Sequence, residues 1–504
     1  MDSNITTPGI RVVETQTLPP SVAPVSTAVP AFIGYVALAN GDMAHINQPV
    51  RVATLEEYKQ VFGTVTDADQ QCVVTLTDDH GKKLIGAITG PLMETTMYYN
   101  LRLYFDNGGG ACYIVPVERG VVTKLQAYQN ALAALATESA PTLIVIVQND
   151  LQPTDYHTLV TKVLQQCQTE QDRFGIFDLV ADATLSVLDQ AQAFREAITT
   201  DKDQLKYGAV YYPALNTRYS YEVDPEKIKV LGWESREAND DNALKAANGS
   251  TGQSRVEEVI ARNLGTLKQV AKAVVVPTTS LTADQRQAVD LSSANIPDDL
   301  RNKIIQQVQR IKLTLPASAA VAGVYAKTDN ERGVWKAPAN VALNHVISPV
   351  VKVTNAQNGA LNVDPDTGKS INVIRDFNNQ GILIWGARTL AGNDNEWRYV
   401  PVRRLFNFIE ESVKKSTAYA VFEPNDAMLW LKIKASVVGF LTELWRQGAL
   451  AGAQASDAFF VEVGLGKTMT PQDILEGHCI VKIGIAAVRP AEFIELEFTH
   501  HLQQ

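Results

Sequence analysis

The sequence predicts an α/β fold, with an α+β core whose sheet is largely parallel. Two observations predict it. Short apolar, β-branched runs such as Thr142 to Val147 and Cys112 to Val117 read as buried strands. Segments of helical spacing, such as Met97 to Phe105 and Leu159 to Gln168, fall between such runs, which is the order of βαβ units.

The elements follow in order. Pro8-Gly9 leads into a β-rich run, Ile10-Arg11-Val12-Val13-Glu14-Thr15. The stretch from Leu18 to Pro24 is too proline-rich for a helix or a central strand, so residues 1–25 read as an extended arm carrying one strand. Val29 to Val36 turns apolar and reads as a buried strand. Leu55 to Phe62 reads as a short helix ended by Gly63. The helix at Met97 runs into a tight glycine turn, Asp106-Asn107-Gly108-Gly109-Gly110, and then a strand. Ile176 to Val180 is a further strand. Residues 217–315 are polar and read as an insertion of loops and a few helices, Val256 to Val270 among them.

Towards the C-terminus, Arg404 to Tyr419 places Leu405, Phe408, Ile409 and Val413 on one helical face. Pro424-Asn425 breaks that helix, and Asn425 is positioned to cap a second one that runs to about Arg446. Leu431, Val438, Leu441 and Trp445 are its expected core positions. The chain ends in Phe493-Ile494-Glu495-Leu496-Glu497-Phe498, a clean alternation of apolar and acidic residues that reads as a strand.

Composition excludes several classes. A 504-residue chain with 45% hydrophobic residues is long enough for a large core and roughly two to four domains. A net charge of -10 disfavours nucleic acid as the main partner. Cys72, Cys112, Cys167 and Cys479 are far apart and form no CxxC pair, so free buried thiols are expected rather than a disulfide framework or a zinc site. No signal peptide and no apolar run of membrane-spanning length is visible, so direct membrane insertion is not expected.

The catalytic motifs do not complete. Gly464-Leu465-Gly466-Lys467-Thr468 ends like a phosphate loop, but Val461 stands where the motif needs its first glycine, and Pro471 follows closely. ATP binding through Gly466-Lys467-Thr468 is therefore only an alternative reading. The Asn107 to Gly110 segment precedes a strand, whereas phosphate loops follow one and open a helix. No nucleophile elbow accompanies His80, and the seven histidines show no metal spacing. No cofactor, metal site or enzyme activity is expected.

Five segments stand out in order: Thr7 to Glu14 with Ser26 to Gly34, then Tyr104 to Tyr113, then Pro316 to Asn340, then Gly386 to Leu390 with Trp397 to Arg404, and finally Arg489 to Phe493. Together they resemble the contractile tail sheath family of phages, R-type bacteriocins and extracellular contractile injection systems. Residues 217–315 show no family pattern and read as a variable outer decoration. The resemblance implies a multi-domain sheath subunit with a conserved inner core built from both halves of the chain. Its expected parts are a linking arm (1–25), inner core (26–97), outer domain (98–340) with the insertion, inner core again (341–488) and a linking strand (489–504).

The resemblance also implies partners. Subunits would stack as hexameric rings around an inner tube protein, with baseplate and terminal cap proteins at the ends. They would be assembled in a bacterial cytoplasm and released in a phage tail or extracellular particle. A static shell is a competing structural reading. An isolated strand must find backbone partners elsewhere, so Ile10, Arg11, Val12, Val13 and Glu14, and Phe493, Ile494, Glu495, Leu496, Glu497 and Phe498, are the candidate inter-subunit strands. Arg403, Arg404, Lys414, Lys415, Lys432 and Lys434 form a basic group on the two C-terminal helices. They are candidates for a tube-facing surface or for an ordinary solvated helix face.

Overall fold

The strand Pro30–Gly34 shows how the main sheet is built. Successive side chains of a strand point to opposite faces. Phe32 joins one apolar cluster with Val145, Phe174 and Tyr325, while Ala31 and Ile33 join another with Ile144, Val163 and Phe194. Both faces are covered, so every residue of the strand is buried and the run is apolar throughout.

In the computed structural model, described for residues 22–37, 45–65, 72–79, 82–89, 96–120, 122–148, 151–180, 184–222, 224–231, 289–292 and 296–494, this sheet has nine strands. Their order is Val341–Ala342, Gly381–Trp385, Asn372–Phe377, Gly208–Tyr212, Phe174–Asp178, Leu143–Val147, Pro30–Gly34, Cys112–Pro116 and Val50–Val52. The strands from Asn372–Phe377 to Cys112–Pro116 run parallel to one another. Those added at the two edges are antiparallel. Helices Met97–Asp106 and Ser318–Arg332 cover one face; Lys124–Leu135, Pro153–Glu170 and Val187–Ala197 cover the other. The mixed α/β class read from the sequence is the class observed.

Ser318–Arg332 is rich in small residues because it is buried on nearly all sides. At Gly323 an added Cβ would lie 2.5 Å from the carbonyl oxygen of Tyr104, so only glycine allows this helix to approach Met97–Asp106 so closely. The glycine turn closes the same junction. Asn107 Nδ2 donates to Leu103 O at 2.8 Å, and Asn344 N donates to Asn107 Oδ1 at 2.8 Å. Gly108 takes φ +97°, which suits a residue without a side chain. The segment is a turn, with its groups spent internally.

Two smaller sheets belong to the same body. One orders Val289–Asp290, Ile228–Leu231, Cys72–Asp79 and Lys82–Thr89, under the helix Asp298–Arg310. The other orders Lys312–Leu315, Leu215–Ser220 and Val346–Pro349. These pairings correct the expected domain boundaries. The chain divides into one unit of Ser26–Asn407 with Arg489–Gln504, and another of Met1–Val25 with Phe408–Val488. Boundaries at 97/98 and 340/341 fail because the main sheet takes strands from all three of the segments they would separate. The flanks of 217–315 likewise pair with strands outside it. The helix expected from Val256 to Val270 lies outside the described residues.

The second unit is built around the later turns of Val400–Ser416, the helix Ala427–Arg446 and a two-stranded antiparallel sheet, Phe459–Val463 with Val481–Ile485. The buried stripe of Ala427–Arg446 is Leu429, Ile433, Val437, Leu441 and Leu444. Leu431, expected in the core, is instead 62% exposed, and Val438 and Trp445 are half-buried. Leu441, also expected in the core, is fully buried there, so the stripe read from the sequence holds at Leu441 and is displaced by one or two residues at the other positions. The N-cap also shifts by one position. Asp426 accepts from Leu429 N at 2.9 Å, while Asn425 accepts from Trp430 Nε1 at 2.7 Å and donates to His478 O at 2.9 Å.

Candidate subunit-linking site

The expected N-terminal strand, Ile10 to Glu14, lies outside the described residues, but the root of its arm does not. In the second unit, Ala23 N donates to Ser416 Oγ at 3.1 Å and Val25 N donates to Ser412 Oγ at 3.2 Å. The match is geometric. Two residues of extended chain advance about 6.6 Å and four residues of helix about 6 Å, so alternate amides meet hydroxyls spaced i, i+4. In the first unit, Thr142 Oγ1 donates to Thr27 O at 2.8 Å and accepts from Val29 N at 2.9 Å. The arm is thus tied at alternate residues before it enters the main sheet.

The other end is tied more strongly. Glu492 accepts from Arg388 Nη2 at 2.6 Å and from Arg388 Nε at 2.9 Å, a two-pronged ionic contact. Asn362 Nδ2 donates to the same carboxylate at 2.7 Å and Tyr399 OH at 3.0 Å. Burial opposes charge on Glu492, but the hydrogen bonds from Arg388 and Asn362 outweigh it and hold the carboxyl below its ordinary pKa. One residue beyond, the chain has no cover: Phe493 is 71% exposed and Ile494 76% exposed. Neither lies in a strand, and Glu495 to Phe498 fall outside the described residues.

Among the described residues, the sheet of the second unit has two open edges. Phe459–Val463 and Val481–Ile485 pair with each other and, among the described residues, with no third strand. Val461 and Val463 are buried, while Phe460 and Glu462 are exposed on the opposite face. A Cβ at Gly484 would lie 2.1 Å from the Phe460 ring, so the ring lies across the glycine opposite it. The described residues therefore show two anchored segments, Ala23 to Val29 and Glu492, and a two-stranded sheet with unpaired edges. No membrane-spanning helix and no metal-binding group of His, Cys, Asp or Glu is found among the described residues.

The six basic candidates divide. Arg403 and Arg404 are each 3% exposed and cannot face a tube. Arg404 binds Asp329 at 2.5 Å, lies over the Tyr325 ring and donates to Thr27 O at 3.0 Å, so its charge is neutralised inside the first unit. Arg403 donates to Asn407 Oδ1 at 2.7 Å and stacks against Tyr207 and Trp397. Lys414 and Lys415 are exposed and pair with Glu411 on their own helix; Lys432 is exposed and Lys434 half-buried. Those four remain available as a surface.

The ATP reading fails on geometry. Gly466 N donates to Met469 O at 2.9 Å, and Thr468 N donates to Gly464 O at 3.0 Å. Lys467 N also donates to Gly464 O, at 3.2 Å, so the amides a phosphate would need are spent within the loop. The helix that follows, Pro471–Leu475, is only five residues long. Cys72, Cys112 and Cys167 are buried, and burial pushes the first two thiols up to about 12, far from a reactive thiolate. Cys479, expected to be buried with them, is exposed.

Anchored chain ends and, among the described residues, a two-stranded sheet with unpaired edges are features found in the class of lattice-forming structural proteins. Residues 392–500 match the phage tail sheath C-terminal domain, and residues 223–390 match the phage tail sheath protein central domain, together more than half of the chain. The central match covers most of residues 217–315, so that segment is part of the family pattern and not the departure the sequence suggested. The tail sheath protein of Enterobacteria phage T4 is 26% identical over 130 residues, 25% of this chain but only 19% of that protein. The sheath of an extracellular contractile injection system, the PVC sheath complex in its contracted state, is 28% identical, with a TM-score of 0.61 over 99% of this chain and 98% of that one. The anti-feeding prophage helical sheath in its contracted state is 29% identical, with a TM-score of 0.59 over 98% of this chain and 99% of that one. The chain belongs to the contractile tail sheath family.

Proposed function

We propose that this chain is the structural subunit of a contractile sheath that stacks as hexameric rings around an inner tube and contracts to drive that tube through a target envelope. The observation that carries the reading is the presence of anchored chain ends together with a two-stranded sheet that is open at both edges among the described residues. A strand added to an open edge satisfies its own backbone groups and those of the edge. In this reading residues 10–15 and 493–499 are those strands, supplied to neighbouring subunits. Each subunit is then tied several times, and the lattice gains by multivalency while the folded units move as bodies. Baseplate and terminal cap proteins are the partners at the two ends of the cylinder, and assembly takes place in the bacterial cytoplasm before release of the particle.

The inner tube is the partner of the four accessible lysines, Lys414, Lys415, Lys432 and Lys434, in an otherwise acidic protein. Electron microscopy of the full chain expressed with its tube protein is the test. Striated cylinders of two lengths are expected, and closed shells of one size would favour a static coat instead. In the same micrographs, Lys414→Glu with Lys415→Glu should reduce tube-filled sheaths. Unchanged filling would assign these lysines to a solvated helix face.

A further inference from the structure

We propose that Arg388, Asn362 and Tyr399 form an anchor that grips Glu492 and fixes where the C-terminal linking strand leaves the folded body. The inference rests on reading that segment as a linker. A linking strand transmits force only if its root is fixed; otherwise the tether lengthens before the next subunit feels it. The structure supplies a built grip at this point. Arg388 is nearly fully buried, its backbone N–H is held by Asn372 Oδ1 at 2.8 Å, and its Nη1 donates to Gly392 O at 3.1 Å. The guanidinium is thus aimed before Glu492 arrives. Asn362 comes from the helix Asn355–Asn362 and Tyr399 from the segment before Val400–Ser416, so three separate parts of the first unit converge on one carboxylate.

The placement argues for anchoring rather than for general stability. The grip falls on the last partly buried residue before the exposed Phe493 and Ile494. Phe493 also lies 6.0 Å from the Arg388 guanidinium, measured to the ring centre, which directs the first residue of the arm. Glu492 follows Arg489-Pro490-Ala491, where the proline limits the chain's freedom just upstream. A grip at the boundary between partly buried Glu492 and exposed Phe493 sets where the tether begins.

The test uses the full chain with Glu492→Ala and Tyr399→Phe. Chymotryptic cleavage after Phe493 is followed by mass spectrometry, with cleavage after Leu496 and Phe498 as the reference. Cutting after Phe493 requires the anchor to open, so Glu492→Ala should raise its relative rate on the order of tenfold or more, and Tyr399→Phe a few-fold. If Glu492→Ala loses its cooperative thermal transition, Tyr399→Phe decides alone. An unchanged rate in the folded variants overturns the anchor. A truncation lacking residues 493–504 separates the two ideas. Long sheaths from the truncated chain would remove the linking role itself. Loss of sheaths on truncation, with no change in cleavage for the point variants, would remove only the anchor.

Discussion

The two units of the chain treat their sheets differently. In the first, Pro30–Gly34, Leu143–Val147 and Gly208–Tyr212 are buried at every residue, and helices cover both faces. In the second, Val481–Ile485 has no fully buried residue, Phe460 is 55% exposed, and Val421, Phe422, Met428, Leu431 and Leu475 all stand in solvent. The central strands of the first unit are covered on both faces by helices of the same chain. The second leaves backbone edges and apolar surface unfinished, which is costly for a free monomer and useful for a subunit whose neighbours finish it. The difference teaches where stability ends and assembly begins.

Substitutions should sort by that division. The largest effect is expected in the first unit. Arg404→Ala would leave Asp329 buried without its partner and should cost about 3–5 kcal/mol of monomer stability in urea unfolding. A loss below about 1 kcal/mol, the range of an exposed pair, would break the comparison. A smaller effect is expected at the arm root. Ser412→Ala with Ser416→Ala removes two hydrogen bonds to the arm and should cost about 1–3 kcal/mol, seen as faster exchange of the Ala23 and Val25 amides. Unchanged exchange would show that the hydroxyls do not hold the arm.

Much of the fold was legible in local pattern. Leu55–Phe62 was read to the residue, because Gly63 follows it with φ +76° and an apolar pair faces the core. Four main-sheet strands, Pro30–Gly34, Cys112–Pro116, Leu143–Val147 and Phe174–Asp178, were legible because burial on both faces makes them continuous apolar runs; Val50–Val52, Gly208–Tyr212, Asn372–Phe377, Gly381–Trp385 and Val341–Ala342 were not read. What failed depended on partners distant in sequence. Arg403 and Arg404 look like any helix charges until Asp329, 75 residues earlier, is seen beside Arg404. The hairpin of Cys72–Asp79 with Lys82–Thr89 was missed, although Asp78 and Asp79 stand opposite Lys83 and Lys82 in register, a complementary charge pattern visible in the sequence. The Glu492 grip was missed as well. Its signal was an acidic residue in a segment already singled out by family resemblance, but its three donors lie 93 to 130 residues away.

The central claim is that the arms serve assembly and not folding. Deleting residues 1–16 from the full chain, with the Val22 to Val25 root retained, tests it most directly. The account predicts a monomer with unchanged circular dichroism and thermal transition that forms no long sheaths with its tube protein under the electron microscope. Normal contractile sheaths from the deleted chain would contradict it.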